Sequence, residues 1–364
     1  MKEVDKRQEL EGELLANQIV EKDVLQICDR LKPYKDILRD KKILVTGGTG
    51  FIGSWFCDVA CRFESKVLCV DNLSTSNVES IDTLLLKPNF SFVKKDILDY
   101  DFSGMKFDYI VHLASIASPS MYQKNPIATL DTGILATKKL LDLCAIGDST
   151  LVLASSSEIY GDTHKNYIPT EETYFGYTNS YGPRSMYDES KRAAEAYCYA
   201  YRKDLGVKTR IARIFNTYGP RLDYYQTDKD SRVLAKFIKK AIKEEDVTLY
   251  NNGENTRSFC YISDLITGLY QLMLVNNIDG EVINLGNKTE CSIRELASLI
   301  VRFTNSSSRI IYDCMPDYNL LLDPERREPN LTKAERLLGY KPETNLINGL
   351  KKTISWFINK QKNG

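Results

Sequence analysis

Apolar and polar positions along the chain follow two alternating rhythms. Between residues 41 and 216, short apolar runs at 42–46, 67–71, 91–94, 108–113, 150–155 and 208–214 predict strands. Between them, helical spacing at 52–64, 77–86, 126–146 and 186–205 predicts helices. Strand and helix in strict alternation predict an α/β fold around a doubly wound parallel sheet. Residues 1–40 are different. Leu10, Leu14, Leu15, Ile19, Val24, Leu25, Ile27 and Leu31 stand among charges, which predicts one or two amphipathic helices packed on the body or on a partner, broken near Pro33. After residue 216 the segments shorten and the loops lengthen, so 217–364 reads as a smaller mixed α/β domain for a substrate, with some interleaving of the two domains expected. Within it, 331–340 and 345–358 predict terminal helices.

The first predicted strand runs into Thr46-Gly47-Gly48-Thr49-Gly50-Phe51-Ile52-Gly53 and then a helix. Gly47 supplies a tight turn, Gly50 lets backbone approach a pyrophosphate, and Gly53 lets helix and strand pack closely. The helix N-terminus then aims free N–H groups at the anion. Roughly 20 residues on, Asp71 ends the second strand, where a carboxylate binds the ribose 2′-hydroxyl and repels a 2′-phosphate. This is a Rossmann-type fingerprint that favours NAD over NADP.

Three further segments carry candidate chemistry. Asp96 and Ile97 follow the third strand, where a nucleotide-binding sheet meets the adenine; Asp96 is either an adenine ligand or an ordinary loop aspartate. Leu113-Ala114-Ser115 ends the fourth strand in small residues that leave room for a cofactor, and Asn72 beside Asp71 joins the cofactor set. His112 follows an apolar run and reads as a packed or hydrogen-bonded histidine, not a base. Tyr187 and Lys191 lie four apart, on one face of a helix. A phenol has an ordinary pKa near 10, and a lysine ammonium one turn away, like a positive nicotinamide, favours the phenolate. Such a tyrosine takes a proton from a sugar hydroxyl while hydride leaves the same carbon.

Composition narrows the partners. Lysine plus arginine number 49 and aspartate plus glutamate 49, so charge makes no case for nucleic acid or an anionic membrane. No apolar run approaches the ~20 residues of a membrane span, and the charged start MKEVDKRQELEGELL has no export core. Nine scattered cysteines without Cys-x-x-Cys spacing read as reduced thiols of a cytoplasmic protein. With only His112 and His164 as histidines, no metal site is expected.

The motifs TGGTGFIG, HLAS, SSSEIYG, YDESK, RIFNTYGPR and TRSFCYISDL, together with Asp71, resemble the extended short-chain dehydrogenase/reductases acting on nucleotide sugars, over about 42–358. GPRSMYDESKRAAEAYCYAYRKDLGVKTRIARIFNTYGPR and DPERREPN resemble, more narrowly, the UDP-glucuronic acid decarboxylases. That resemblance implies resident NAD, oxidation at C4 of UDP-glucuronic acid, loss of CO2 from the 4-keto sugar, and return of hydride to give UDP-xylose. Tyr187 would be the base, with Lys191 tuning it and holding the nicotinamide ribose. Ser156 and Ser157 would bond the reacting sugar, Glu158 would lie by C5, and Arg327 would bind near the carboxylate. Asn216, Arg232, Tyr250 and Arg257 would hold the diphosphate. The cofactor would touch Gly47, Gly50, Phe51, Ile52, Gly53, Asp71, Asn72, Asp96, Ile97, Leu113, Ala114, Tyr187 and Lys191. A homodimer pairing 126–146 and 186–205 is also implied. The 4,6-dehydratases place Asp-Glu where Ser157-Glu158 stands here, and 4-epimerases usually have a small or apolar residue at Glu158. Those two branches and a non-catalytic dinucleotide-binding regulator are the alternatives. Departures include IASPSMYQKNP after HLAS, serine for threonine at Ser156, Gly133 with Ala136-Thr137 in the following helix, and Glu328-Pro329-Asn330 closing the last motif.

Overall fold

The computed structural model of the protein describes residues 2–314 and 324–361. Asp323, which opens the DPERREPN motif, and the side chains of residues 2–10, Leu10 among them, lie outside the described residues. Seven parallel strands form the main sheet: β1 (Lys42–Thr46), β2 (Lys66–Asp71), β3 (Phe90–Lys94), β4 (Tyr109–His112), β5 (Thr150–Ser156), β6 (Lys208–Ile214) and β7 (Val282–Leu285), in the order β7-β6-β5-β4-β1-β2-β3. All seven positions of β5 are buried, which is why its sequence is a continuous apolar and small-residue run. Neighbouring residues face opposite cores. Ile43 and Val45 join one with Phe56 and Tyr270, and Leu44 joins the other with Leu140 and Cys198.

Six of these strands match the predicted runs. β7 does not, because Asn284 interrupts a four-residue strand from beyond residue 216. Asn284 is buried but satisfied: it accepts from the Tyr160 hydroxyl at 2.7 Å and donates to the Thr170 carbonyl at 2.9 Å. The predicted helix 77–86 is instead a 3-10 turn, Val78–Ile81, followed by a short α-helix, Asp82–Leu85. Asn77 caps the turn by accepting from the Glu79 N–H at 3.0 Å, and Pro88 prevents continuation. The other core helices span Phe51–Arg62, Pro126–Gly147 and Ser185–Leu205. The terminal helices span Thr332–Leu338 and Leu346–Gln361.

The first forty residues form one long helix, Lys2–Arg30, then a tight turn at Lys32–Tyr34 and a last short helix, Lys35–Leu38. Ala16, Val20, Val24, Ile27 and Leu31 are buried at helical spacing. The helix packs against Phe51–Arg62, Ile262–Leu274 and Leu346–Gln361. Buried Asp23 accepts from the Tyr261 hydroxyl at 2.6 Å and pairs with Lys352, while Arg30 donates to Asp264 at 2.7 Å.

Small sheets build the second half. Thr256–Ser258 pairs with Glu290–Ser292 on one side and with Arg326–Arg327 on the other. The parallel register sets Arg327 opposite Arg257, so two arginines far apart in sequence reach one face.

Replacing Asp23 with alanine strands the buried Tyr261 hydroxyl. The expected loss is about 1–3 kcal/mol of unfolding free energy, measured by urea titration. An unchanged midpoint would mean the long helix is not anchored through this residue.

Candidate active site

The carboxyl ends of the strands carry the site, and the strand order reverses between β1 and β4, where a crevice opens. Gly47 turns the chain with φ +71°, and a Cβ there would stand 2.6 Å from the Ala114 backbone. At Gly53 a Cβ would meet the Gly47 carbonyl at 2.1 Å, so only glycine lets the helix start so close to the strand. Gly50 caps that helix, which Phe51 and Ile52 begin. A groove runs along Gly47, Gly50, Asp71, Asn72, Asp96, Ile97, Leu113 and Ala114.

Asp71 is fixed in the groove by its own loop. Its carboxylate accepts from the Thr49 N–H at 3.1 Å on one oxygen, and from the Leu73 N–H at 2.9 Å and the Ser76 hydroxyl at 3.4 Å on the other, so the first oxygen keeps a lone pair for a ligand. Asp96 is tied in the same way, accepting from the Leu98 N–H at 2.9 Å and the Asn72 amide at 2.8 Å. His112 is buried. Its Nε2 faces the Thr132 carbonyl at 3.3 Å, which can only accept, so Nε2 carries the proton and Nδ1 accepts from the Thr46 hydroxyl at 2.7 Å. Burial, with Lys191 nearby, lowers its pKa to about 3 and keeps it neutral.

Tyr187 and Lys191 project from the first turns of Ser185–Leu205 and are buried beside the end of β5. Lys191 Nζ donates to the Ala154 carbonyl at 2.8 Å and lies 5.8 Å from the Tyr187 ring centroid. Burial lowers the lysine to about 8. The expected depression of the phenol by Lys191 does not arise from these residues: burial raises Tyr187 to about 12, and the opposing hydrogen bond comes from Ser156. The Tyr187 ring stacks on Tyr122, with centroids 5.4 Å apart.

Next to the tyrosine, β5 ends in Ser156 and a tight turn through Ser157 and Glu158, with Ser156 accepting from the Glu158 N–H at 3.2 Å. Arg327 reaches across from the small three-stranded sheet. Its Nη1 lies 2.6 Å from Glu158 Oε1 and 3.3 Å from Ser157 Oγ, and its Nη2 donates to the Gly161 carbonyl at 3.3 Å. Arg184 pairs with the other Glu158 oxygen. Burial alone would raise Glu158, but Arg327, Arg184 and then Arg257 outweigh it and hold the carboxyl at about 2. Glu158 is therefore a carboxylate at any physiological pH and not a general acid.

Residues expected at a diphosphate have mixed placements. Arg257 is buried and donates to the Thr256 carbonyl at 2.8 Å. Arg232 forms a two-pronged pair with Asp223, at 2.7 and 2.9 Å, and its guanidinium lies 5.7 Å from the Phe51 ring centroid. Asn216 follows β6, and its buried Oδ1 has no hydrogen-bond partner among the described residues. Tyr250 ends the strand Val247–Tyr250, in register with Asp313.

Sequence reasoning missed Arg184, Asp188 and Tyr122. Arg184 and Asp188 carried a readable signal, since opposite charges four apart face each other on a helix. Tyr122 had none, because its partner lies 65 positions away in a different element.

The residues fit a dinucleotide: bare glycine backbone at Gly47 and Gly50 along the groove, a helix start, and a loop-fixed carboxylate. Comparison with known proteins agrees. The NAD dependent epimerase/dehydratase family matches residues 43–286. UDP-glucuronic acid decarboxylase 1 of Xenopus tropicalis is 42% identical over 317 residues, covering 87% of this chain and 72% of that protein. UDP-glucuronic acid decarboxylase 5 of Arabidopsis thaliana is 38% identical over 322 residues, covering 88% of this chain and 90% of that protein. Among solved structures, UDP-glucuronic acid 4-epimerase from Bacillus cereus in complex with UDP-glucuronic acid and NAD superposes with a TM-score of 0.77 at 28% identity, over 87% of this chain and 98% of the other. No helix among the described residues is long and apolar enough to cross a membrane.

If Asp71 reads the ribose, Asp71→Ser weakens NAD binding roughly tenfold or more, the scale of a lost charged hydrogen bond, and weakens NADP much less. Calorimetric titration of both nucleotides measures this. Equal losses for the two would show that Asp71 serves only its loop.

Proposed function

Because the chain belongs to the NAD dependent epimerase/dehydratase family, we propose that it is an enzyme that decarboxylates UDP-glucuronic acid to UDP-xylose through a 4-keto intermediate, with NAD as its resident cofactor. The observation that carries this reading is the clamp on Glu158. An ionised carboxylate held by Arg327 and Arg184 sits beside Ser157 and within the electrostatic reach of Tyr187. Two guanidiniums around one carboxylate give a site able to accept a second carboxylate without net repulsion.

The chemistry that NAD supplies when bound is reversible hydride acceptance at C4, with a positive ring that favours the phenolate. Tyr187 takes the proton of the C4 hydroxyl, and Ser156 bonds its phenol oxygen. The sugar is then a β-keto acid. When the C5–carboxylate bond breaks, its electron pair moves into the C4 carbonyl and CO2 departs. The protonated Tyr187 phenol and the Ser156 hydroxyl stabilise the enolate oxygen that forms, in the manner of an oxyanion hole. Arg327 orients the carboxylate before it leaves. Reaching UDP-xylose needs one proton from solvent at C5, which the Glu158 carboxylate, held ionised by its arginines, can relay through a water, while Tyr187 gives its own proton back to the C4 oxygen as hydride returns to C4. Asn216 and Arg257 are assigned to the nucleotide diphosphate, with Arg232 and Tyr250 as further contacts.

The finer features of the reading are a homodimer and a cytoplasmic setting. Ile127 and Leu135 on Pro126–Gly147 and Tyr199 on Ser185–Leu205 are exposed, which suits pairing of these helices with their counterparts in a second copy. The nine cysteines are unbridged, which suits a reducing compartment.

The functional test is NMR analysis of UDP-glucuronic acid incubated with the protein, without and then with added NAD. UDP-xylose and CO2 are expected. A C4 epimer with all carbons retained would make the enzyme an epimerase, and no turnover across nucleotide sugars would leave a dinucleotide-binding regulator. Tyr187→Phe should keep NAD and lose at least 100-fold in turnover, the lower range for a general base. Arg327→Ala should weaken binding of UDP-glucuronic acid far more than that of UDP-glucose; equal losses would move Arg327 to the phosphates. For the assembly, native mass measurement should give twice the chain mass, falling to one with Leu135→Glu.

A further inference from the structure

Two buried polar atoms near Glu158 stand without hydrogen-bond partners among the described residues: Oδ1 of Asp188 and the hydroxyl of Tyr122. Both residues are nearly fully enclosed, at 4% and 1% exposure. Asp188 follows Tyr187 directly and lies one helical turn beyond Arg184. Its Oδ2 is 3.8 Å from Arg184 Nε, too far for a hydrogen bond, while a different nitrogen of Arg184 is engaged with Glu158. The Arg184 guanidinium thus lies between two carboxyl groups and bonds closely to one. Beyond Glu158 the chain of charges continues to Arg327 and Ser157.

A buried carboxylate without a hydrogen bond is costly, so it stays neutral or waits for a donor. We propose that Asp188 is a positioning residue that takes up a proton when a carboxylate-bearing sugar enters, removing a negative charge that would otherwise stand beside Glu158 and repel the incoming anion. This rests on the substrate proposed above. The groups facing Asp188 are Glu158 and Arg327 across the site, Arg184 and Glu189 on its own segment, Tyr187 beside it, and Tyr122 from the helix Pro119–Lys124. Burial, then repulsion from Glu158, already raises Asp188 to about 7, against the pull of Arg184 and Arg327. A second anion raises it further. Below that pH the acid is neutral and an anionic sugar binds at full strength. As pH rises through about 7, ionised Asp188 adds a second negative charge beside Glu158 and repels the ligand.

The proton balances simply: buffer supplies it, and the Asp188 carboxylate becomes a carboxylic acid when the ligand binds. Lys191, lowered to about 8, also titrates nearby and its ammonium favours an acidic sugar, so the Asp188→Asn variant is what assigns the proton to Asp188.

The test is calorimetric titration of the NAD-loaded protein, carrying Tyr187→Phe in every arm so that the sugar binds without reacting, with UDP-glucuronic acid and with UDP-glucose at pH 7.5, in buffers of different ionisation enthalpy. UDP-glucuronic acid should take up a substantial fraction of a proton more than UDP-glucose. Its affinity should fall by up to about tenfold per pH unit above neutrality, the limit for one linked proton. Asp188→Asn should abolish the difference in proton uptake and flatten the affinity between pH 6 and 8. A merely structural role would weaken both ligands together and leave the proton count unchanged. Equal uptake for the two ligands with Asp188 intact overturns the role of Asp188 even if the Asp188→Asn chain does not fold. So does a difference that survives in the variant. Failure of UDP-glucuronic acid to bind at all overturns the substrate reading with it.

Discussion

Glu158 is held from both sides by arginines that come from unrelated places. Arg184 precedes the helix that carries Tyr187, whereas Arg327 comes from a two-residue strand near the end of the chain. The ion pair between Glu158 and Arg327 therefore joins the edge of the main sheet to the small sheets of the second half. Without it, Glu158 would keep only Arg184 and the buried Arg327 guanidinium would lose its counter-ion, a costly state in a largely enclosed site. Much of the geometry described above follows from keeping this clamp closed. The parallel register of Arg326–Arg327 on Thr256–Ser258 aims Arg327, and the tight turn after β5 aims Glu158.

The clamp also fixes the roles of neighbouring groups. The two arginines hold Glu158 as a carboxylate, while among the described residues no such clamp stabilises a phenolate at Tyr187 beside it. Tyr187 itself is raised by burial, so the protein alone holds it as a phenol. Under the proposed reaction, the positive nicotinamide is what would turn this phenol into a base.

Much of this was legible in the sequence, for reasons that can be named. The glycine loop and Asp71 declare themselves because backbone geometry leaves few alternatives: Gly47 at φ +71° against Ala114 admits no other residue. Six strands of the sheet were readable from apolar runs because a parallel sheet is buried on both faces. β7 was hidden by Asn284, a polar residue whose partners come from Tyr160 and the loop at Thr170. Tyr187, Lys191, Ser156, Ser157, Glu158 and Arg327 do gather at one place. What sequence did not show was the electrostatic outcome. Spacing put a lysine one turn from a phenol, but it did not reveal that Lys191 would spend a hydrogen bond on the Ala154 carbonyl. Nor did it reveal Arg184 and Tyr122, whose importance depends on which element lands opposite them.

The long first helix has a bearing on how the chain comes to be folded at all. Arg30 and Asp264 lie 234 positions apart, and Asp23 and Lys352 lie 329 apart. The apolar stripe of Val20, Val24 and Ile27 finds one cover, Phe51–Arg62, close by in sequence, but the other two, Ile262–Leu274 and Leu346–Gln361, lie far along the chain. Contacts of such separation close slowly. Until they do, the helix is only partly covered, the kind of intermediate that aggregates. Maturation of this face is thus a race between long-range closure and capture by a neighbour.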